Sequence, residues 1–330
     1  MEKSDSGSGP TGSGQGKKRI FLRIGVGLII LLLVGYLGIG AVAASQLSVP
    51  KRNFDPDQNP SLFSLSYEEV RYPARNDGLE IAAWYLPSED NQKVIILVHG
   101  RDNSRTNGFC DEFVTFAKDL HTAGYSVMMI DLRGHGESAD SRFYFGIKEY
   151  QDILGAVDWL EARGYQPGKI GVLGYSLGAA SVVYAAAEEE DIGAVWLDSA
   201  YADVESVIEH SWVSVSGLPQ IFLYPTEWMM RLLYGNDISE SRPIDQIGKI
   251  APRPIFMAHC KQDNFVPFSQ MDELLTVAQN TQTWQIANCD QHSKGLDLVP
   301  EHLNGHAIGY SLQPEDYTQR VVQFFDENLE

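Results

Sequence analysis

The pentapeptide 174–178, of sequence G-Y-S-L-G, places Ser176 between two glycines. The apolar run before it is predicted to be a strand, and the small-residue run after it a helix. A serine on such a sharp turn is presented as a nucleophile, and its strained backbone requires that the residues two positions away lack side chains. The pattern therefore predicts acyl transfer with Ser176 as the nucleophile.

The oxyanion formed in acyl transfer needs two hydrogen-bond donors. The first predicted donor is the backbone N–H of Leu177, at the start of the helix. The second is the backbone N–H of Arg101, in the loop after the predicted strand 94–98. His99 and His135 are interpreted as loop-structuring residues, because the base comes last in this order of elements.

The acid of a catalytic triad is predicted to be Asp263. It lies in the loop after the predicted strand 255–260, at the carboxyl edge of the sheet, where functional groups converge. Asp198 is the rival, because it follows the preceding strand, although its Asp198-Ser199 context fits a structural hydrogen-bonding role equally well.

The base is predicted to be His306, which lies between the last predicted strand and the final helix. The order Ser176, Asp263, His306 is then the nucleophile, acid, base order of the nucleophile-elbow enzymes. His302 and His292 are nearby alternatives.

The elements that must position these residues alternate between strand and helix. This pattern predicts a mostly parallel central sheet flanked by helices on both faces. Asn76-Asp77-Gly78 is a strong turn signal, so the first two strands are predicted to form a hairpin. The predicted strands are 67–72, 79–86, 94–98, 125–130, 169–173, 194–197, 255–260 and 283–287, and the predicted helices are 113–123, 148–162, 177–187, 269–278 and one from about residue 314.

The alternation stops at about residues 200–251, where aromatic-rich segments predict a helical cap over the carboxyl edge of the sheet. Two interpretations of the cap's large apolar residues stay open. They could line an apolar acyl pocket, or they could form the cap's own core. These residues are Trp212, Phe222, Tyr224, Trp228, Met229 and Met230.

The N-terminal segment predicts attachment to a membrane. Residues 1–23 are interpreted as a disordered basic tail, 24–44 as a transmembrane signal-anchor helix and 45–64 as a polar linker before a catalytic domain at 65–330. The basic residues before the span should stay in the cytoplasm, which places the domain outside it. The alternative is a secreted protein, cleaved near Ala43.

The composition narrows the classes of partner. A formal net charge of −19 over 330 residues argues against a nucleic-acid backbone or an anionic bilayer surface as the main partner. No ligand cluster or phosphate-cradling motif predicts a metal or organic cofactor. Cys260 and Cys289 end two consecutive predicted strands, so a disulfide is possible in an oxidising compartment, although inert thiols are the default. The oligomeric state stays open.

Taken together, these motifs resemble the α/β-hydrolase superfamily, and within it the bacterial membrane-anchored or secreted hydrolases related to serine aminopeptidases and to the Bem46-like group. The resemblance covers about residues 65–328, and it departs from the family in the longer, more polar segment before His306. The motifs that carry it are Val98-His99-Gly100, the loop 131–138 (D-L-R-G-H-G-E-S), the pentapeptide 174–178, Asp198-Ser199, Asp263 with Val266-Pro267, and Gly305-His306.

The resemblance implies a serine hydrolase that acts on a small-molecule or peptide acyl substrate. An ester is the first expectation. A peptide or amide is the second, because the resembling families hold both activities. A non-catalytic binding protein that kept the fold is the alternative from another class.

Overall fold

An eight-stranded sheet forms the centre of the protein in the computed structural model, which describes residues 13–88 and 92–330. The strands are β1 Glu68–Pro73, β2 Glu80–Leu86, β3 Val94–Val98, β4 Ser126–Ile130, β5 Ile170–Tyr175, β6 Ile192–Asp198, β7 Ile255–Cys260 and β8 Thr281–Ile286. Their order in the sheet is β1-β2-β4-β3-β5-β6-β7-β8. Strand β2 is antiparallel to both of its neighbours, and the six strands β3 to β8 are parallel to one another.

Helices cover both faces of this sheet, so the predicted fold class is confirmed. On β3, Ile96 packs into the apolar cluster that contains α4 and α5, whereas Ile95 and Leu97 pack into the cluster that contains α3 and α11. This two-sided burial explains why the strand is apolar throughout. The helices are α1 Ser13–Leu47, α2 Gly108–Asp111, α3 Phe113–Thr122, α4 Tyr150–Glu161, α5 Leu177–Glu188, α6 Val204–Ser216, α7 Leu223–Tyr234, α8 Ile244–Ile247, α9 Ser269–Leu275, α10 Gly309–Leu312 and α11 Pro314–Asn328.

The predicted cap is helical and lies between β6 and β7, as α6, α7 and α8. Asp203 caps α6, because its carboxylate accepts the N–H of Ser206 at 3.0 Å, and Gly217 ends the same helix in the left-handed conformation. The last strand begins at Thr281 and not at residue 283.

The long N-terminal helix α1 departs from the sequence prediction at its start. It begins at Ser13, so residues 13–23, predicted to belong to a disordered tail, are helical. Residues 1–12 lie outside the described residues. The segment Lys17–Leu47 is long and apolar enough to cross a membrane, a property that it shares with signal sequences.

The segment 45–64, predicted to be a polar linker, instead lies on the domain. The Arg52 guanidinium donates hydrogen bonds to the carbonyls of Gly136 and Ser138, at 2.8 and 2.9 Å. The Phe54 ring packs under the guanidinium of Arg105. The domain therefore holds α1 through a chain segment that is itself packed.

Candidate active site

Ser176 lies at the turn between β5 and α5, at φ 54° and ψ −122°, a backbone conformation that a non-glycine residue rarely adopts. Such a conformation typically costs about 1–3 kcal/mol and persists only where its surroundings enforce it. The flanking glycines permit the turn, because a Cβ on Gly178 would lie 2.4 Å from the Val98 carbonyl oxygen, and one on Gly174 would lie 2.6 Å from the carbonyl of Gly178. The requirement for small neighbours is therefore steric.

A chain of hydrogen bonds connects the three predicted triad residues. Nε2 of His306 lies 2.8 Å from Oγ of Ser176, and Nδ1 of His306 lies 2.8 Å from Oδ2 of Asp263. The Asp263 side chain is fully buried and that of His306 nearly so. This arrangement can accept a proton from the serine hydroxyl and hold the resulting imidazolium beside a carboxylate.

The surroundings of Asp263 keep its carboxylate ionised. Its Oδ1 accepts the backbone N–H groups of Phe265 and Val266, both at 2.8 Å. Burial alone would raise the pKa of Asp263, but the charges and hydrogen bonds of His306 and His259 outweigh burial and hold this pKa well below its usual range.

Two loops come together to place Asp263 beside His306. The N–H of Asn264 donates to the carbonyl of Asn304 at 2.9 Å. Gly305, at φ 81°, allows the close approach, because a Cβ there would lie 2.3 Å from the carbonyl oxygen of Gln262. The structure also pairs Cys260 with Cys289 in a disulfide, with their Cα atoms 6.0 Å apart, which joins the end of β7 to the loop after β8.

Asp198, the rival acid, has other partners. Its carboxylate accepts hydrogen bonds from the Ser199 hydroxyl at 2.9 Å and the Tyr317 hydroxyl at 2.8 Å. The Ser199 oxygen in turn accepts the N–H of Ala307, the residue after His306, at 3.1 Å. Asp198 and Ser199 therefore hold the histidine loop in place, which agrees with the structural role that the sequence left open.

The alternative histidines lie away from this chain of hydrogen bonds. His292 pairs with Glu301 on the surface, with Nε2 to Oε2 at 2.6 Å. Among the described residues, neither His292 nor His302 bonds to Ser176 or Asp263. The structure thus brings His306, and neither of the other two, to Ser176.

Two backbone amides are available beside Ser176. Within the described part of the chain, the N–H groups of Arg101 and Leu177 donate to no protein acceptor. Gly100 brings the loop after β3 against Ser176, because a Cβ added at Gly100 would lie 3.3 Å from Cβ of Ser176. The two predicted oxyanion donors therefore flank the serine with unused hydrogen-bonding capacity.

His99 and His135 are buried and hold loops. Nε2 of His99 accepts the N–H of Leu132 at 3.0 Å, while Nδ1 contacts the Gly100 carbonyl at 2.7 Å. Nε2 of His135 accepts the N–H of Asp102 at 3.2 Å. Because each Nε2 accepts a backbone N–H, both rings are neutral, and protonation would set two donors against each other. Burial lowers the pKa of His99 to about 4, and burial with the neighbouring His99 lowers the pKa of His135 to about 3.

These depressed pKa values predict a loss of stability in acid. Below pH 6.5, His99 and His135 bind protons in the unfolded chain but stay neutral in the folded protein. The free energy of unfolding therefore falls as the pH drops from 6.5 to about 4. For His99 alone the difference amounts to about 3 kcal/mol at the acid end. Urea unfolding of the full chain in detergent, at pH 7 and at pH 4.5, measures it.

His99→Gln is the matched variant, because glutamine keeps a donor and an acceptor but does not titrate. It should lower stability at pH 7 and flatten the decline between the two pH values. Equal declines in wild type and variant would contradict the assignment of a neutral, buried His99.

The pocket in front of Ser176 is lined mainly by apolar side chains. Of the cap residues considered from the sequence, Trp212 and Met230 line it. Phe222 packs into an apolar cluster that the cap shares with α1, and Met229 packs against the main core, whereas Tyr224 and Trp228 are exposed. Trp212 and Met230 therefore agree with an apolar acyl pocket, whereas Phe222 agrees with a role in packing. The other apolar lining residues are Leu47, Phe143, Phe145, Leu177, Tyr201, Val204, Val207, Ile208, Val215, Leu223, Ile238 and Phe265.

Two contributors to the site were missed by sequence reasoning. His259 lies 3.4 Å from Asp263, within a strand that looks uniformly buried. Leu47, the last residue of α1, lines the pocket, and its carbonyl accepts the Arg101 guanidinium at 3.1 Å.

A group of carboxylates with spacing suited to a metal ion consists of Glu161, Glu189 and Asp191. Glu189 and Asp191 directly precede β6, so this group lies at the amino edge of the sheet, opposite Ser176. Glu189 is also paired with Arg75 at 2.7 Å. It takes no part in the site.

Comparison with known proteins supports the fold that the strand order and the turn at Ser176 indicate. The family model described as the alpha/beta hydrolase fold matches residues 93–225, which contain the pentapeptide 174–178. The chain has the α/β-hydrolase fold.

Proteins of similar sequence include one that aligns with nearly the whole length of this chain. The uncharacterized protein YqkD of Bacillus subtilis is 25% identical over 323 residues, which are 94% of this chain and 97% of that protein. Lysophosphatidylserine lipase ABHD12 of Rattus norvegicus is 27% identical over 213 residues, or 61% of this chain and 50% of the lipase. Esterase Pf2001 of Pyrococcus furiosus shares the fold, with a TM-score of 0.66 at 21% identity over 86% of this chain and 99% of the esterase.

Proposed function

We propose that this protein is a serine hydrolase that cleaves a carboxylic ester through an acyl-enzyme intermediate. The observation that carries the proposal is the hydrogen-bonded chain from Ser176 through His306 to Asp263, which begins at a strained turn facing a pocket. A buried serine, histidine and aspartate in this order are the groups that nucleophilic catalysis requires. An apolar core would pack as well without the free-energy cost of burying polar side chains.

In the first step, Oγ of Ser176 attacks the ester carbonyl and its proton passes to Nε2 of His306. Asp263 holds the imidazole by its Nδ1–H and stabilises the imidazolium. The tetrahedral oxyanion accepts hydrogen bonds from the N–H groups of Arg101 and Leu177. When the intermediate collapses, the imidazolium protonates the leaving alkoxide, which departs as an alcohol.

In the second step, water attacks the acyl-enzyme, and His306 removes its proton. The collapse of the second tetrahedral intermediate releases the carboxylic acid and returns the proton to Ser176. Every proton transfer uses His306, and no metal or organic cofactor takes part.

The apolar pocket favours an ester with an acyl chain. Trp212, Leu223 and Met230 place hydrocarbon surface around Ser176, and an apolar chain gains about 0.8 kcal/mol for each CH₂ that it buries there. A substrate with a charged acyl part would lose solvation on entry.

A peptidase of the same fold is the second candidate, and Glu227 favours it. This carboxylate lines the same pocket, half-buried, and could receive the free amino group of a peptide. A non-catalytic role is disfavoured, because the nucleophile, acid, base and donor set is complete.

We also propose that α1 anchors the protein as a single-pass membrane helix, with the domain extracytoplasmic. The side chain of Ala43, at the alternative cleavage site, is 6% exposed and packs against the cap within a continuous helix. Cleavage near Ala43 would remove the contacts that Tyr36 and Gly40 make with the cap, and the loss of this packing favours the uncleaved anchor over secretion.

The preference between ester and amide is tested with purified full-length protein in detergent. We expect kcat/KM for p-nitrophenyl butyrate to exceed that for leucine p-nitroanilide by more than about tenfold, after each is divided by its uncatalysed rate. The Ser176→Ala protein gives the background. Turnover of the anilide alone would reverse the order of the two candidates.

A further inference from the structure

The helix α1 has two parts with different surroundings. Its side chains from Lys17 to Gly35 are almost all exposed. From Tyr36 onward, the helix lies against the cap: the Tyr36 hydroxyl donates to the Ile221 carbonyl at 2.6 Å, and Gly40 contacts Pro225 so closely that a Cβ would lie 2.7 Å from it. The cap therefore begins to touch α1 before the apolar segment ends.

The free part of α1 is too short to cross a bilayer. Between Arg23, the last basic residue, and the contact at Tyr36 lie residues 24–35, which span about 18 Å at about 1.5 Å per residue. A hydrocarbon core is about 30 Å thick. If α1 spans the membrane, the beginning of α7 must enter the leaflet on the side of the domain.

The surface of the cap at this level suits lipid. Ile221, Tyr224 and Trp228 lie on one face, at 62%, 67% and 52% exposure. Such an apolar aromatic surface is unfavourable in water, whereas tyrosine and tryptophan are enriched where a membrane meets water. Both the position of this face and its apolar, aromatic composition therefore place it in contact with lipid.

A groove runs from the same level of α1 to the wall of the pocket that contains Ser176. It runs between α1 and the end of α6, from Gly35 and Gly38 past Val42 to Leu47 and Val215. Leu47 and Val215 also line the pocket that contains Ser176. Groove and pocket thus share a wall, and the path from Gly35 to Leu47 is about 18 Å long at the rise of an α-helix.

We propose that the substrate is a membrane-resident acyl ester whose chain enters the pocket from the bilayer, along the groove between α1 and α6. This inference rests on the proposed ester hydrolysis. The groove is lined mainly by apolar residues, which suits an acyl chain. The alcohol part of the ester stays on the aqueous side of Ser176.

The path is tested by blocking it with tryptophan at Gly38, a position where a Cβ meets nothing within 4 Å. The matched control is Gly27→Trp, on the free part of the same helix, where a Cβ also meets nothing. Full-length protein in phosphatidylcholine vesicles is assayed with a 4-methylumbelliferyl palmitate ester and with the acetate. We expect Gly38→Trp to lower the palmitate-to-acetate ratio of kcat/KM at least about tenfold, the value of 1.4 kcal/mol, and Gly27→Trp to leave the ratio at the wild-type value.

An unchanged ratio in Gly38→Trp, or an equal fall in both variants, would overturn the entry path. Wild-type protein that cleaves neither ester would refute the proposed function itself. Immersion of the cap has a separate readout: brominated lipids should quench wild-type tryptophan fluorescence more than that of Trp228→Phe. Equal quenching would overturn the placement of the cap in the leaflet, whatever the activity.

Discussion

Replacing Ser176 by alanine is expected to lower kcat for the ester by about 10⁵-fold or more, because removal of the nucleophile from a serine triad leaves only the donors and the binding pocket to act. KM should change little, since the hydroxyl contributes little to the binding of the ground state. Steady-state hydrolysis of p-nitrophenyl butyrate by full-length protein measures both constants.

Ser181→Ala is the control for this substitution. Ser181 lies on α5, the helix that begins directly after Ser176, is buried, and donates its hydroxyl to the carbonyl of Leu177 at 2.8 Å. It should keep kcat near that of the wild type. Residual activity of Ser176→Ala within tenfold of the wild type would mean that another nucleophile acts.

The second large effect is expected from His306→Ala, about 10⁵-fold in kcat, because every proton transfer of both steps passes through its imidazole. His302→Ala is the matched control, four residues away in the same segment. The same ester assay should find it close to the wild type. Loss of activity in His302→Ala with retention in His306→Ala would reverse the assignment of the base.

The turn at Ser176 could be predicted from sequence because its causes are local. Gly174 and Gly178 are required by contacts within one strand-to-helix connection and with Val98 on the neighbouring strand. The central strands could also be predicted from the sequence, because a strand that is buried on both faces needs a continuous apolar run, as in Val94–Val98.

The choice between Asp263 and Asp198 could not be made from sequence with the same security. Both residues follow parallel strands and reach the same edge of the sheet. The contact that separates them joins residues far apart in the chain, where Gly305 admits the carbonyl of Gln262 and so brings His306 beside Asp263. Asp198 meets Ser199 and Tyr317 instead.

The segment 45–64 looked like a free linker because its composition is polar and rich in proline. Its partners lie far away in sequence, as the contacts of Arg52 with Gly136 and Ser138 illustrate. The sequence shows that Arg52 is polar, but it does not show that the carbonyl groups that accept its hydrogen bonds lie nearby.

The contact of α1 with the cap was equally hidden. A helix that is apolar all round carries no stripe to mark the face that packs. Gly40 and Tyr36 are ordinary residues in a transmembrane sequence, and only the position of Pro225 and Ile221 gives them a role.

The central claim is that Ser176 is an activated nucleophile, and labelling of the full-length protein with a fluorophosphonate tests it most directly. The account predicts a covalent adduct that peptide mapping places on Ser176 and that is absent from the Ser176→Ala and His306→Ala proteins. A folded wild-type protein that stays unlabelled, or that carries the adduct on another residue, would contradict it.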